Sequence, residues 1–549
     1  MENSLLHNKL VITLFSVIII ASLTFSLLST SLFAGENSLF AATPTIDATI
    51  TPTFLPSLVL QQINTAKEYE NNGQYEEAVE VYENIISMGY EDPDIYYALG
   101  VDYTQLGLTM LAFSAFDKAI ELKPDVYEYY SARAEVYAST KQFQSAMADI
   151  NTAMNLSPEN PLLYFSRAQI YQTMKSYDKA KEDYDYGISL NPIDSTGYIN
   201  RAMYFELLGD FAAAAQDYTL AIKYSSSTIP MLYFRRGYAY TQLGKYDLAL
   251  ADVNKIIELQ PTGYEIVYSL RGNIYLLQEK YQEALDDLNR GIEAGNDLYF
   301  ERGLANSALL NYEAAILDFT RCLENHPDNT NALLNRGILY IKTNQFALAK
   351  LDFDAYILQV PDNSNAYNNR GLANRYLGYS QDAIDDFNKA IEIDGTYIQA
   401  YINRASLYSS LGKYSKSIDD YLKVMELSPD TVEAYYNISI VYYKQGQYSL
   451  SIENMEKANS MTPTIDGYNL MAVCYLKLGY KNKALEAENK AVELFPDSAS
   501  AYYNRAIIYK YLGNITEAKI DLQKALSLST DDEERQEIEN TLKKLGGSI

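Results

Sequence analysis

The chain predicts an all-α solenoid, and three observations carry that prediction. Residues 59–530 repeat one pattern of about 34 residues fourteen times. Each repeat carries two stripes of packing residues at helical spacing, with a turn between them that is often Gly. A unit of this length cannot bury its own apolar face, so neighbours must stack to make a core.

The chain starts with a different kind of element. Residues 10–34 run 25 residues without a charge, behind Lys9, the one basic residue before Lys67. About 20 apolar residues span a bilayer, whereas a secretory apolar region runs about 7–15. Residues 1–34 therefore read as a retained signal-anchor helix or as a signal peptide cut near Ser31 or Ala34. Either way the charge on the amino side places the repeat array outside the cytoplasm, in the cell envelope or secreted. No Cys lies near the segment, which excludes a lipoprotein anchor. Residues 35–58 are rich in Thr, Pro and Ala and read as an extended linker.

The array occupies 59–530. Repeats start at Val59, Pro93, Tyr127, Pro161, Ser195, Pro230, Glu265, Asn296, Thr330, Ser364, Ile398, Val432, Ile465 and Ala499. Position 4 is Tyr in twelve of them, position 8 is always Gly, Ala or Ser, and position 11 is Tyr in eleven. These three positions share one face of a first helix. Position 20 is Ala in twelve repeats, position 24 is usually large (Phe116, Tyr184, Phe387) and position 27 is mostly small. That is the packing stripe of a second helix. Gly at position 15 (Gly107, Gly378, Gly446) suits a helix end, and Pro at position 32 in nine repeats stops the second helix. The units from Ser195 and Pro230 run 35 residues and that from Glu265 only 31, which predicts an irregularity near residues 225–297. Residues 531–549, acidic at their start with Lys543 and Lys544 near their end, read as a polar capping helix and tail.

This recurrence resembles the tetratricopeptide repeat over about 470 of the 549 residues. One departure is position 4, often Trp in the family; this chain has no Trp and uses Tyr. The resemblance implies a right-handed superhelix of about fourteen antiparallel helix pairs, with positions 2, 5, 6, 9, 12 and 13 of the first helices facing a concave groove. Most of the 52 tyrosines then read as packing residues whose hydroxyls reach a polar partner or the rim.

A second regularity is internal to the sequence. Ten repeats carry Arg at position 7, from Arg133 to Arg505, and the same ten carry Asp at position 23, from Asp149 to Asp521. The four repeats without the Arg also lack the Asp. Pairing within a repeat fits every unit, which predicts a bidentate contact tying its two helices together.

Composition narrows the function. His7 and His326 are the only histidines, and Cys322 and Cys474 lie five repeats apart, too far for a disulfide in a regular solenoid. No residue set suits a transition metal or a nucleophilic triad, and no stretch outside the array is long enough for a catalytic domain. The expectation is a non-enzyme with no cofactor and no metal. A net charge of −27 disfavours nucleic acid and anionic lipid as partners. Contact with membrane is expected only through residues 10–34, if uncleaved.

The candidate site lies on the groove face. Position 6 is Asn in seven repeats, including Asn200, Asn335, Asn369, Asn403, Asn437 and Asn504, and four of these fall at successive 34-residue steps. An amide offers both donor and acceptor, so it can pair with any peptide backbone. The row is similar to the asparagine ladder of the O-linked N-acetylglucosamine transferase superhelix, which holds extended polypeptide; no transferase domain accompanies it here. Phe234, Phe300, Tyr436 and Tyr503 at position 5 are expected to add apolar anchors. The reading is a scaffold that binds a peptide or protein segment in its groove. Its alternatives are a self-assembling envelope protein and a glycan- or polymer-binding module.

Overall fold

The structure, a computed structural model, describes residues 57–259 and 265–546. The expected membrane or signal segment and residues 35–56 of the expected linker lie outside them. All regular structure among the described residues is α-helical, in 29 helices. No described helix is long and apolar enough to cross a membrane. The helices alternate as expected: Ser364–Tyr376 is followed by Ser380–Ile393, and Ile398–Ser410 by Tyr414–Leu427. The opening helix begins at Ser57, two residues before the repeat pattern. The chain forms two compact units, one ending at Glu301 and the other beginning at Arg302.

Each helix pair has a local physical cause. The residue before the first helix often caps it: the side chains of Asp92, Asn160, Asp194, Asn329, Asn363 and Ser498 each accept a backbone N–H of the first turn. Pro93, Pro161 and Pro230 occupy the first turn, where a missing N–H costs nothing. At position 15 the backbone is left-handed in all fourteen repeats. Nine have Gly there, and Lys141, Lys175, Glu279, Leu310 and Asn344 take the same φ of 58–64°. The chain reverses at that residue, so the conformation is demanded even where the side chain resists it.

Inside the pair, positions 8 and 24 are complementary. A Cβ added to Gly371 would sit 2.7 Å from the Phe387 ring, and one added to Gly303 would sit 2.7 Å from Phe319. These rings are wholly buried. Where position 24 is the smaller Ile150, position 8 is Ala134. The tyrosines do what their chemistry predicts. The position-4 hydroxyls of Tyr130, Tyr164 and Tyr198 each donate to the carbonyl oxygen of the Pro six residues earlier, at 3.0–3.1 Å. They tie each first helix back to the end of the preceding repeat.

All ten Arg–Asp pairs form within their own repeats. In the Thr330 repeat, Arg336 Nε and Nη2 donate to the two oxygens of Asp352 at 2.8 and 2.7 Å. The contact also has a third arm, which the repeat pattern did not predict. Arg336 Nη1 donates to Thr320 Oγ1 of the preceding repeat at 3.0 Å, and Arg201 Nη1 to Asp185 at 2.6 Å. Each acceptor is at position 25 of the preceding repeat. The Tyr at positions 4 and 11 flank the guanidinium, as Tyr130 and Tyr137 do at Arg133. The guanidinia of Arg201 and Arg336 therefore each join three helices.

The carboxy-terminal unit ends in Asp532–Lys544, capped by the Asp531 side chain. Ile538 and Leu542 of this helix are buried against the last repeat, with Leu522 and Ala525. Its outer side is charged. That is a solenoid cap.

Candidate functional site

The first helices of successive repeats lie against one another, and hydrogen bonds between them mark a common face. In the amino-terminal unit, Ser166 donates to Glu135 at 3.2 Å and Arg235 to Glu206 at 2.8 Å. In the carboxy-terminal unit, Asn403 donates to Asn368 at 2.8 Å and Arg375 to Ser406 at 3.1 Å. These residues stand at positions 5, 6, 9 and 12, so the side chains expected to line a groove do share one surface within each unit.

The two faces differ in chemistry. The amino-terminal one carries carboxylates, among them Asp94, Glu128 and Glu135. Glu206 is held above the usual carboxylate range because burial outweighs its pairing with Arg235. The carboxy-terminal face carries the asparagines.

Those asparagines are not equivalent. Asn369, Asn437 and Asn504 are half-buried, and none has a hydrogen-bond partner among the described residues. Asn200 in the amino-terminal unit is similar. Asn335 spends its N–H on the Asn331 carbonyl of its own helix at 2.9 Å. Asn403 is buried, 7 % exposed, with its amide nitrogen on Asn368 and its oxygen accepting from Gln399 at 3.2 Å. Its amide is used internally because a second Asn precedes Asn369. The six residues thus divide into four open amides, one half-used and one that bridges helices.

The expected aromatic anchors are placed differently from the expectation. Phe234 is 5 % exposed and packs with Tyr238, Val253 and Leu270. Phe300 is 6 % exposed. Position 5 falls where one first helix meets the next, so a ring there fills the core between them. Tyr436 is half-buried and packs against the core cluster that contains Met455. Tyr503 is half-buried and donates to Glu537 of the capping helix at 2.8 Å. Phe234 and Phe300 therefore present no open apolar surface, whereas Tyr436 and Tyr503 stay partly exposed.

No group of three or more His, Cys, Asp or Glu side chains among the described residues is arranged to hold a metal ion. Cys322 and Cys474 are separate buried thiols. Cys474 donates to Ser451 Oγ at 3.3 Å, and burial raises its thiol above the ordinary range.

With this geometry in place, the class is clear: a helical-repeat solenoid with a polar face of first helices. Tetratricopeptide-repeat models match residues 63–125, 127–160, 162–194, 230–262, 334–398, 432–465, 465–498 and 499–532, and a TPR-repeat model matches 406–446. Together they cover well over half the chain, which belongs to the tetratricopeptide repeat family. No curated protein sequence matches it. Among solved structures, it is similar to a tetratricopeptide repeat protein from Parabacteroides merdae at 20 % identity, over 44 % of this chain and 95 % of that one, with a TM-score of 0.35. It is similar to yeast Tom70 at 15 % identity, over 89 % and 96 % of the two chains, with a TM-score of 0.33. YrrB, described as a TPR protein with an unusual peptide-binding site, matches at 21 % identity over 34 % and 97 %, with a TM-score of 0.29.

Proposed function

We propose that this chain is a non-enzymatic scaffold that holds an extended polypeptide segment along the first-helix face of its carboxy-terminal unit. The observation that carries the reading is the set of half-buried amides without a protein partner at Asn369, Asn437 and Asn504. An amide that spends neither its donor nor its acceptor on the protein can give both to a peptide backbone. We place the scaffold in the cell envelope, anchored through residues 10–34 or released if that segment is cut.

The test is capture from the host's envelope fraction by the full chain beside an Asn369→Ala, Asn437→Ala, Asn504→Ala variant. Asn403 is left intact because it joins two helices. A polypeptide retained by the parent and lost from the folded variant is the expected result. Equal retention by both overturns the reading and moves attention to the second-helix side. For the location, the chain is expected in the membrane pellet or, if cut, outside the cell with a new terminus near Ala34. Recovery from the cytoplasm would contradict it.

A further inference from the structure

We infer that the segment held by the carboxy-terminal unit is acidic, with a carboxylate at about every third residue. The inference rests on the peptide-binding reading above and adds the chemistry of the ligand.

The observation is a row of cations in a strongly anionic protein. Five first helices of the carboxy-terminal unit end in a basic residue: Lys342, Arg375, Lys444, Lys477 and Lys510. All stand at position 12 or 13. A basic residue in the last turn of a helix is favoured by the helix dipole alone, which is the plainest account of such a row. The amino-terminal unit argues against it. None of its first helices, from Ser57–Asn71 to Ile266–Leu277, has a basic residue in the last turn. The same fold in the same chain does without them.

The cations are also poorly used at home. Lysines of the second helices, such as Lys389, Lys423 and Lys490, pair with a Glu three residues on. Lys444, Lys477 and Lys510 are exposed and reach no carboxylate among the described residues. Lys342 lies over the Tyr312 ring and Arg375 bonds Ser406, so these two keep their charge without neutralising it. A net charge of −27 makes an unpaired row of one sign the exception on this surface.

Geometry links two members of the row, Lys342 and Lys444, to amides of their own helices. Asn437 and Lys444 are seven residues apart, two turns of one helix, so they share a face at about 10 Å. Asn335 and Lys342 have the same spacing. Glu433 and Asp466, at position 2, lie at the other end of their helices, about 15 Å from the cations. A segment running across the first helices meets the amides with its backbone and the cations with its side chains. Packed helices are about 8–10 Å apart and an extended chain rises about 3.3 Å per residue, hence one acid per three residues. Nucleic acid carries about one charge per 1.7 Å and would bring most of its phosphates against an acidic chain.

Three labelled peptides of about fifteen residues test this with the full chain: Glu at every third position, and the same with Gln or Lys. The Glu peptide is expected to bind, more weakly at higher salt, and to lose at least tenfold in affinity on Lys444→Gln, Lys477→Gln, Lys510→Gln. These side chains are exposed, and unchanged circular dichroism and melting confirm that the variant folds. Equal binding of the Gln peptide, with no effect of the triple variant, overturns the acidic inference and leaves the peptide-binding reading standing. Preference for the Lys peptide also overturns it. If no peptide binds at 1 mM the inference fails, and the peptide-binding reading is then decided by the envelope capture alone. A 20-base-pair duplex that outcompetes the Glu peptide, and is lost in the triple variant, replaces the peptide with nucleic acid.

Discussion

The repeat that starts at Thr330 and the repeat that starts at Ile465 meet the same packing problem in opposite ways. In the first, Arg336 forks onto Asp352 and reaches Thr320, beside the wholly buried ring of Phe353. In the second, Met471 and Ala487 fill the places of the Arg and the Asp, both 7 % exposed, and a carboxyl, Glu488, takes the place of the ring. Both repeats fold into the same helix pair. The fold therefore does not require the ion pair, and an apolar pair of similar volume serves at those positions. What the ion pair adds is a directional link from one repeat to the one before. What the second repeat carries in exchange is a buried acid with no hydrogen-bond partner on either oxygen.

The largest test of this comparison breaks the pair on one side. Asp352→Ala leaves the Arg336 guanidinium, only 17 % exposed in its side chain, without its counter-charge. Burial works against that charge, and the bonds to Asp352 outweigh it, holding the group above its usual range. The expected loss is about 3 kcal/mol locally. Adding Arg336→Met, which copies the Met471 and Ala487 arrangement, is expected to recover most of it, to within about 1 kcal/mol. Because a long array need not unfold as one unit, hydrogen exchange in helices Thr330–Lys342 and Phe346–Gln359 is the measurement. Equal exchange in both variants would make the pair ornamental.

The second test acts on Glu488. Burial pushes its carboxyl up to about 8, with Arg505 opposing. The folded state thus holds the proton more tightly than the unfolded state, whose Glu ionises near 4.3. Stability from this group is full below about pH 4 and falls as pH rises through the folded value near 8. Glu488→Leu removes the slope. The variant is expected to gain about 2 kcal/mol over the parent at pH 8 and much less at pH 5, read by exchange in Lys481–Leu494. A gain independent of pH would mean that packing, not ionisation, is the cost. Asp102, 1 % exposed and pushed up to about 8 by burial and then by Glu70, should behave alike at the other end of the array.

These contrasts explain how much of the molecule its residues alone make legible. The helix pairs are legible because packing within a repeat recurs fourteen times, so each position is sampled under one constraint. The Arg–Asp contact is legible because both partners vanish together. Its third arm is harder. The acceptors at position 25 include Asp117, Asn151, Asp185, Thr320 and Asn489, a mixture that shows no single residue type. The column becomes visible only when it is read as acceptors. The groove is legible as a face but not as a site. Asn369 and Asn403 sit at the same position, yet Asn403 is consumed by Asn368, an accident of one neighbouring residue that periodicity averages away. Phe234 and Phe300 are buried for a related reason: position 5 lies between packed helices, and a helical wheel does not show where the next helix sits.

The smallest test sharpens the comparison at the turn between helices, where the demand on the backbone is the same in every repeat and the residue is not. Leu310 holds φ at 64° and is 61 % exposed, so its packing offsets little of the strain. The left-handed region costs a non-glycine residue about 1–2 kcal/mol, while Gly gives up part of that gain through a freer unfolded chain. Leu310→Gly is expected to stabilise by about 0.5–1 kcal/mol, seen as slower exchange in helix Tyr312–Asn325. The reverse change should mirror it. Gly378 holds φ at 85°, and a Cβ added there would meet nothing within 4 Å, so Gly378→Leu is expected to cost about 1 kcal/mol from backbone strain alone. If Leu310→Gly destabilises instead, the leucine contributes packing that its exposure hides, and the turn is not the uniform element that fourteen left-handed residues suggest.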